Sequence, residues 1–182
     1  MTLYRLAGAI VFGLMLAVSA QAQTIMHGND RPAGEATPAN GSFSIRFPIS
    51  YRYIEYKGVE ASAGGAKDAP MAVQMLTGAD GDGLRFSVTE TPVRAPLPPI
   101  DSFLETAKNR PDAVVSDVRH EQKDDMEILS FALREPKQES FFRVLRSKTT
   151  GYVLFVQFPS ELRSKATGMK DEFFGSFKVV RR

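Results

Sequence analysis

The chain has 182 residues, 43% of them hydrophobic, with 23 basic and 21 acidic residues, two histidines and no cysteine. That length supports one domain with a sizeable core, and the near balance of charge gives no strong field for nucleic acid or an anionic membrane surface. Without cysteine there is no disulfide framework, thiolate nucleophile, Cys-ligated metal or lipoprotein attachment.

Arg5 is the only charge in the first 22 residues. From Leu6 to Val18 the chain is apolar or small, and Ala20 and Ala22 follow at the spacing a signal peptidase reads. This run is shorter than the roughly 20 residues that span a bilayer. The pattern predicts a secretory signal peptide over 1–22, cleaved after Ala22 to leave Gln23 as the new terminus and no membrane anchor. Loss of Arg5 would leave 23 − 1 = 22 basic residues against 21 acidic ones. Export without cysteine suits a bacterial periplasm, or release from the cell.

Residues 23–41 are rich in Pro, Gly, Asn, Ala and charge and read as a flexible leader that includes a solvated His27. A single domain is expected over 42–182. Phe43, Ile45 and Phe47 alternate with polar residues as a half-buried strand stopped by Pro48. In "YRYIEY", Tyr51 and Tyr53 take one side and Ile54 and Tyr56 the other. Met71 to Leu76 and Leu84 to Glu90 read as a hairpin around "TGADGDG". Four prolines between Thr91 and Ile100 make that stretch a crossover rather than a central strand. Asp101 is placed to cap a short helix that carries Phe103, Leu104 and Ala107 inward.

Strands follow over "AVVSDVRH", "MEILSFALR", "ESFFRVLRSK" and "YVLFVQFP", the last three as an antiparallel meander from Met126 to Phe158. The last strand is apolar on both sides, Tyr152, Leu154, Val156 and Phe158 against Val153 and Phe155, so both faces of its sheet must be covered. Ser160 is placed to cap a final helix whose stripe is Leu162, Ala166, Met169 and Phe173. Gly175 is read as its left-handed stop, and Phe177 and Val179 as a closing strand.

This order, with "FSIRFP" at its start and "FFGSFKV" at its end, resembles the PsbP-like superfamily, closest in kind to small exported bacterial proteins of the DcrB type. The resemblance covers Gly41 to Val180. It implies an α+β fold, an antiparallel sheet flanked by helices in an α/β/α sandwich. It also implies a binding or accessory role with no shared active site.

The chemistry-bearing residues are few. Asp80 and Asp82 in "ADGDG" alternate as calcium-loop carboxylates do, but the third ligand and distal Glu are missing, and Asp-Gly is common turn chemistry. His120 is the one imidazole in the expected domain that could serve as a base, and Ser176 has no nucleophile-elbow context. The run Glu121 to Glu127 reads as a solvated turn. "SAGGAK", Ser62 to Lys67, lacks phosphate-loop spacing. Tyr51, Arg52, Tyr53 and Tyr56 are weak interaction candidates, because Tyr and Arg are enriched at binding hot spots. No catalytic residue, metal ligand or cofactor site is expected. The leading expectation is an exported, non-enzymatic binding or accessory protein of the bacterial cell envelope with a protein partner there. The alternative is a carrier of a small ligand or lipid in a pocket between sheet and helix, and a hydrolase built on His120 ranks third.

Overall fold

A computed structural model describes residues 23–59, 71–93 and 99–180. The signal segment with Ala22, the loop 62–67 and residues 94–98 of the proline crossover lie outside these residues.

The described chain forms strands β1 (Gln23–Arg31), β2 (Gly34–Ala36), β3 (Phe43–Phe47), β4 (Tyr51–Val59), β5 (Met71–Ala79) and β6 (Arg85–Pro92). Helix α1 (Ser102–Lys108) precedes β7 (Val114–Lys123), β8 (Met126–Arg134), β9 (Gln138–Arg146) and β10 (Thr150–Pro159). A 3-10 turn, Ser160–Leu162, leads into α2 (Arg163–Ser176), and β11 (Lys178–Val179) closes the fold. Eight strands make one sheet in the order β1-β4-β5-β6-β10-β9-β8-β7, and β11-β3-β2 make a small second sheet. Every pairing is antiparallel. The protein is thus mostly antiparallel β-sheet with helices.

Side-chain alternation sorts the large sheet into two apolar faces. Phe86 and Val88 of β6, Phe141 and Leu145 of β9, and Tyr152, Leu154, Val156 and Phe158 of β10 face Phe43, Ile45 and Phe47 of β3 and Ala166 and Phe173 of α2. On the opposite face Val153, Phe155, Phe142, Val144, Leu129, Phe131 and Leu133 meet Leu104 and Ala107 of α1. The two-sided strand expected over Tyr152–Phe158 is therefore covered on both faces. Phe43, Phe47, Phe86, Phe158 and Phe173 are wholly buried, and removing one such ring from water contributes about 1.5–3 kcal/mol.

Four expectations change. Gln23–Arg31, read as part of a flexible leader, is a strand antiparallel to β4, and Gly34–Ala36 pairs with β3. Main-chain groups make these ladders, and β4 would otherwise present an open edge, so a poorly apolar composition is no bar. Asp101 does not cap α1 with its side chain. A turn supplies the acceptors instead, with Pro99 and Ile100 carbonyls taking the N–H groups of Ser102 and Phe103 at 3.0 and 3.2 Å. Ser160 likewise makes no side-chain cap, because the 3-10 turn intervenes. Gly175 is not a left-handed stop. The helix runs through it to Ser176, and its φ is not positive.

β7 is an edge strand along which most side chains are exposed. Its register with β8 slips between Ser116 and Arg119, where Asp117 has φ +55°. Bulges and charges of this kind blunt sheet edges.

Candidate functional site

α2 packs on β10 and β9 of the large sheet and on β3. Beside it the sheet face changes character. On β8 the inward positions run Met126, Ile128, Ser130, Ala132, and on β9 they run Phe141, Arg143, Leu145. Ser130 and Arg143 thus interrupt two apolar stripes, and the register places them opposite each other. Arg119 of β7 is opposite Ser130 on its other side. One cross-strand row therefore reads Arg119, Ser130, Arg143.

Between this row and α2 runs a groove of about 330 Å³. Ala132 and Phe141 are part of its floor, Lys170, Asp171, Phe174 and Gly175 form the α2 wall, and Asp117 and Glu121 also line it. Three cations and three acids thus border it, but they are unevenly satisfied. Lys170 is 2.5 Å from Asp171, and its ammonium also lies 5.1 Å from the centre of the Phe141 ring. Asp117 accepts from Ser116 Oγ at 3.3 Å. Arg143 comes no closer than 4.0 Å to Glu121, and its Nε is buried with no acceptor among the described residues. A buried donor left in this state costs about 1–3 kcal/mol. Sequence reasoning did not pick out this site. The signal available was the polar break in each of two otherwise apolar stripes.

A second polar cluster is fully absorbed by the fold. Glu90, buried on β6, accepts from Ser42 Oγ at 2.6 Å and Asn40 Nδ2 at 3.0 Å, which pins the loop before β3 to the sheet. Tyr152 lies opposite Glu90 in the ladder. Burial first, and the Glu90 charge second, push its hydroxyl up to about 12. Burial also raises Tyr53, helped by Glu55 and Glu90 and opposed by a backbone hydrogen bond at Ala39. Glu139, another buried carboxylate, is held by Arg163 and, at 3.4 Å, by Arg134.

The expected candidates do not converge. Tyr51 and Tyr53 are core residues, and Tyr51 stacks on Phe47 at 4.8 Å and donates to the Glu35 carbonyl at 3.2 Å. Arg52 points outward and holds Asp30 through both carboxylate oxygens. Tyr56 is half-buried on the opposite side of β4, and burial raises its pKa. His27 is on β1 opposite Tyr53 in register, far along the sheet order from His120 on β7. His120 is half exposed, with Nε2 3.4 Å from Asp101 Oδ1.

Asp80 Oδ1 accepts the N–H groups of Asp82 and Leu84 at 3.0 and 2.9 Å, and Gly83 takes φ +89°. Asp82 Oδ2 receives Lys165 at 2.9 Å, a hydrogen bond that holds the Lys165 pKa up. Both carboxylates are therefore engaged in turn and ion-pair chemistry, and no cluster of three metal-ligating side chains occurs among the described residues. Of the charged run, Glu121 faces the groove, Asp124 and Asp125 form the turn, and Glu127 pairs with Arg146 at 2.5 Å. No helix among the described residues is long and apolar enough to cross a membrane.

Comparison with protein-family models and with curated proteins gives no match for this chain.

Proposed function

We propose that the protein is an exported, non-enzymatic binding protein of the bacterial cell envelope, with a PsbP-like α/β/α sandwich fold and the α2 groove as its working surface. The groove carries this reading. It is the place where an otherwise apolar sheet face turns polar and α2 leaves it uncovered. The sandwich is supported by α1 packing on one face and α2 with the small sheet on the other. Its order of strand, proline-rich crossover, short helix, meander, long helix and closing strand also fits.

The carrier form of the proposal is favoured over a flat docking surface, with one change of place. The space beneath α2 is filled by Phe173, whose ring lies 5.2 Å from that of Phe47 on β3 and 5.3 Å from that of Phe86 on β6. A ligand would sit beside α2 rather than beneath it.

Gly175 provides the test. A Cβ there meets nothing within 4 Å, and the residue lines the groove, so Gly175→Trp should occlude it without disturbing the core. The expected result is that whatever co-purifies with the wild-type protein from the envelope is lost from the variant, with the melting temperature held. Robust turnover in a hydrolase screen, abolished by His120→Ala, would refute the non-enzymatic reading.

A further inference from the structure

Resting on the binding reading above, we infer that the groove takes an amphiphilic anion: one carboxylate or phosphate head between Arg119 and Arg143, and an apolar body along Phe141 and Phe174. Adjacent strands lie about 4.8 Å apart, so the two arginine stems start roughly 10 Å apart with the Ser130 hydroxyl between them. Two guanidinium forks converging from that separation suit a single oxyanion, which Arg binds with planar, charge-assisted geometry. Arg143 lines the groove with its side chain partly exposed, and its nearest approach to Glu121, through Nη2 at 4.0 Å, exceeds hydrogen-bond length. A ligand oxygen in the groove would give the exposed end of this guanidinium a closer acceptor. Arg119 has no ion pair among the described residues, stands on the edge strand and lines the groove. Phe141, with Lys170 above its ring, and Phe174, half-buried on α2, give the apolar body a surface to lie on. The 330 Å³ volume falls at the lower end of ligand pockets, which favours one short chain or ring system over a two-chain lipid.

The test is calorimetric titration of the protein, expressed as the full chain, with four probes below any micelle threshold: decanoate, decyl phosphate, decanol and inorganic phosphate. The two amphiphilic anions should bind at one site, and decanol and inorganic phosphate each about tenfold or more weakly. Arg143→Met should cost about tenfold, and Arg119→Gln, on the exposed edge and safe for folding, several-fold. Shifts of the Phe141 and Phe174 ring resonances should accompany binding.

Decanol binding as tightly as decanoate, or affinity unmoved in Arg119→Gln, overturns the anion clamp. Inorganic phosphate matching decyl phosphate overturns the apolar floor. Failure of all four probes overturns the inference as a whole. In each of these cases a native ligand lost on Gly175→Trp would still uphold the groove as the binding surface, so the two failures are distinguishable.

Discussion

Ser176 Oγ accepts the backbone N–H of Arg46 at 2.9 Å while donating to the Phe173 carbonyl at 2.8 Å. One hydroxyl thus closes the last turn of α2 and fastens it to β3, across 130 residues of chain. Both of its hydrogen-bonding roles are occupied, which explains its place in the tight "FFGSF" segment without any nucleophilic role. Ser176→Ala should cost about 1 kcal/mol, a fall of about 2–4 °C in melting temperature for a domain this size. Thermal unfolding followed by circular dichroism reads this directly. An unchanged midpoint would mean that the tie between helix and strand contributes nothing.

Two glycines should respond in opposite directions. At Gly78 an added Cβ would stand 2.4 Å from the Ser50 carbonyl oxygen and 3.2 Å from the Ile49 side chain, so the turn before β4 would have to move. Overpacking of this kind costs about 1–3 kcal/mol. Gly168, inside α2, has open space around its Cβ position and no positive φ. Gly168→Ala should stabilise by about 0.5–1 kcal/mol through helix propensity. Urea unfolding of both variants checks the contrast, and a stabilised Gly78→Ala would show that the close approach to Ser50 is not rigid.

Much of the architecture was legible because it rests on side-chain periodicity. The alternation of Phe43, Ile45 and Phe47, the two-sided strand at Tyr152–Phe158, and the Leu162, Ala166, Met169, Phe173 stripe all follow from which side chains must leave water. What escaped was carried by the main chain or by polar residues in apolar company. β1 is held by a ladder that its composition does not announce. The helix starts are capped by turns whose carbonyls do the work expected of Asp101 and Ser160. Tyr51 and Tyr53 have the residue type of binding hot spots, yet they share the parity of the core face, and their rings are buried there. Ser130 and Arg143 each fill a single polar position in an apolar stripe, and only the strand register sets them side by side.

Phe173 joins the helix to both sheets. Its ring lies 5.2 Å from that of Phe47 and 5.3 Å from that of Phe86, each edge to face, and it is wholly buried. Phe173→Ala should therefore cost about 3–5 kcal/mol, the range for a deleted core aromatic. Phe174, next in sequence but half-buried beside the groove, should lose clearly less on the same change. Equal losses at the two positions in chemical denaturation would contradict the assignment of Phe173 to the core and Phe174 to the groove wall.

High pH should destabilise the protein through Tyr152. Its hydroxyl is pushed up to about 12, first by burial and then by the Glu90 charge opposite it. In the unfolded chain a tyrosine ionises near 10. Below that value both states keep the proton, and stability is unaffected by this group. Between about 10 and 12 the unfolded state releases a proton that the native state retains, so stability falls with a slope of about 1.4 kcal/mol per pH unit. Burial raises Tyr53 and Tyr56 as well, which adds to the same slope in the same direction. Denaturation midpoints measured from pH 9 upward should decline, and Tyr152→Phe should flatten part of that decline. Glu90→Gln removes the charge that adds to the effect of burial, so phenolate absorbance should appear at lower pH in that variant than in the wild type. If phenolate forms at the same pH in both, the ladder contact between Glu90 and Tyr152 carries no electrostatic coupling.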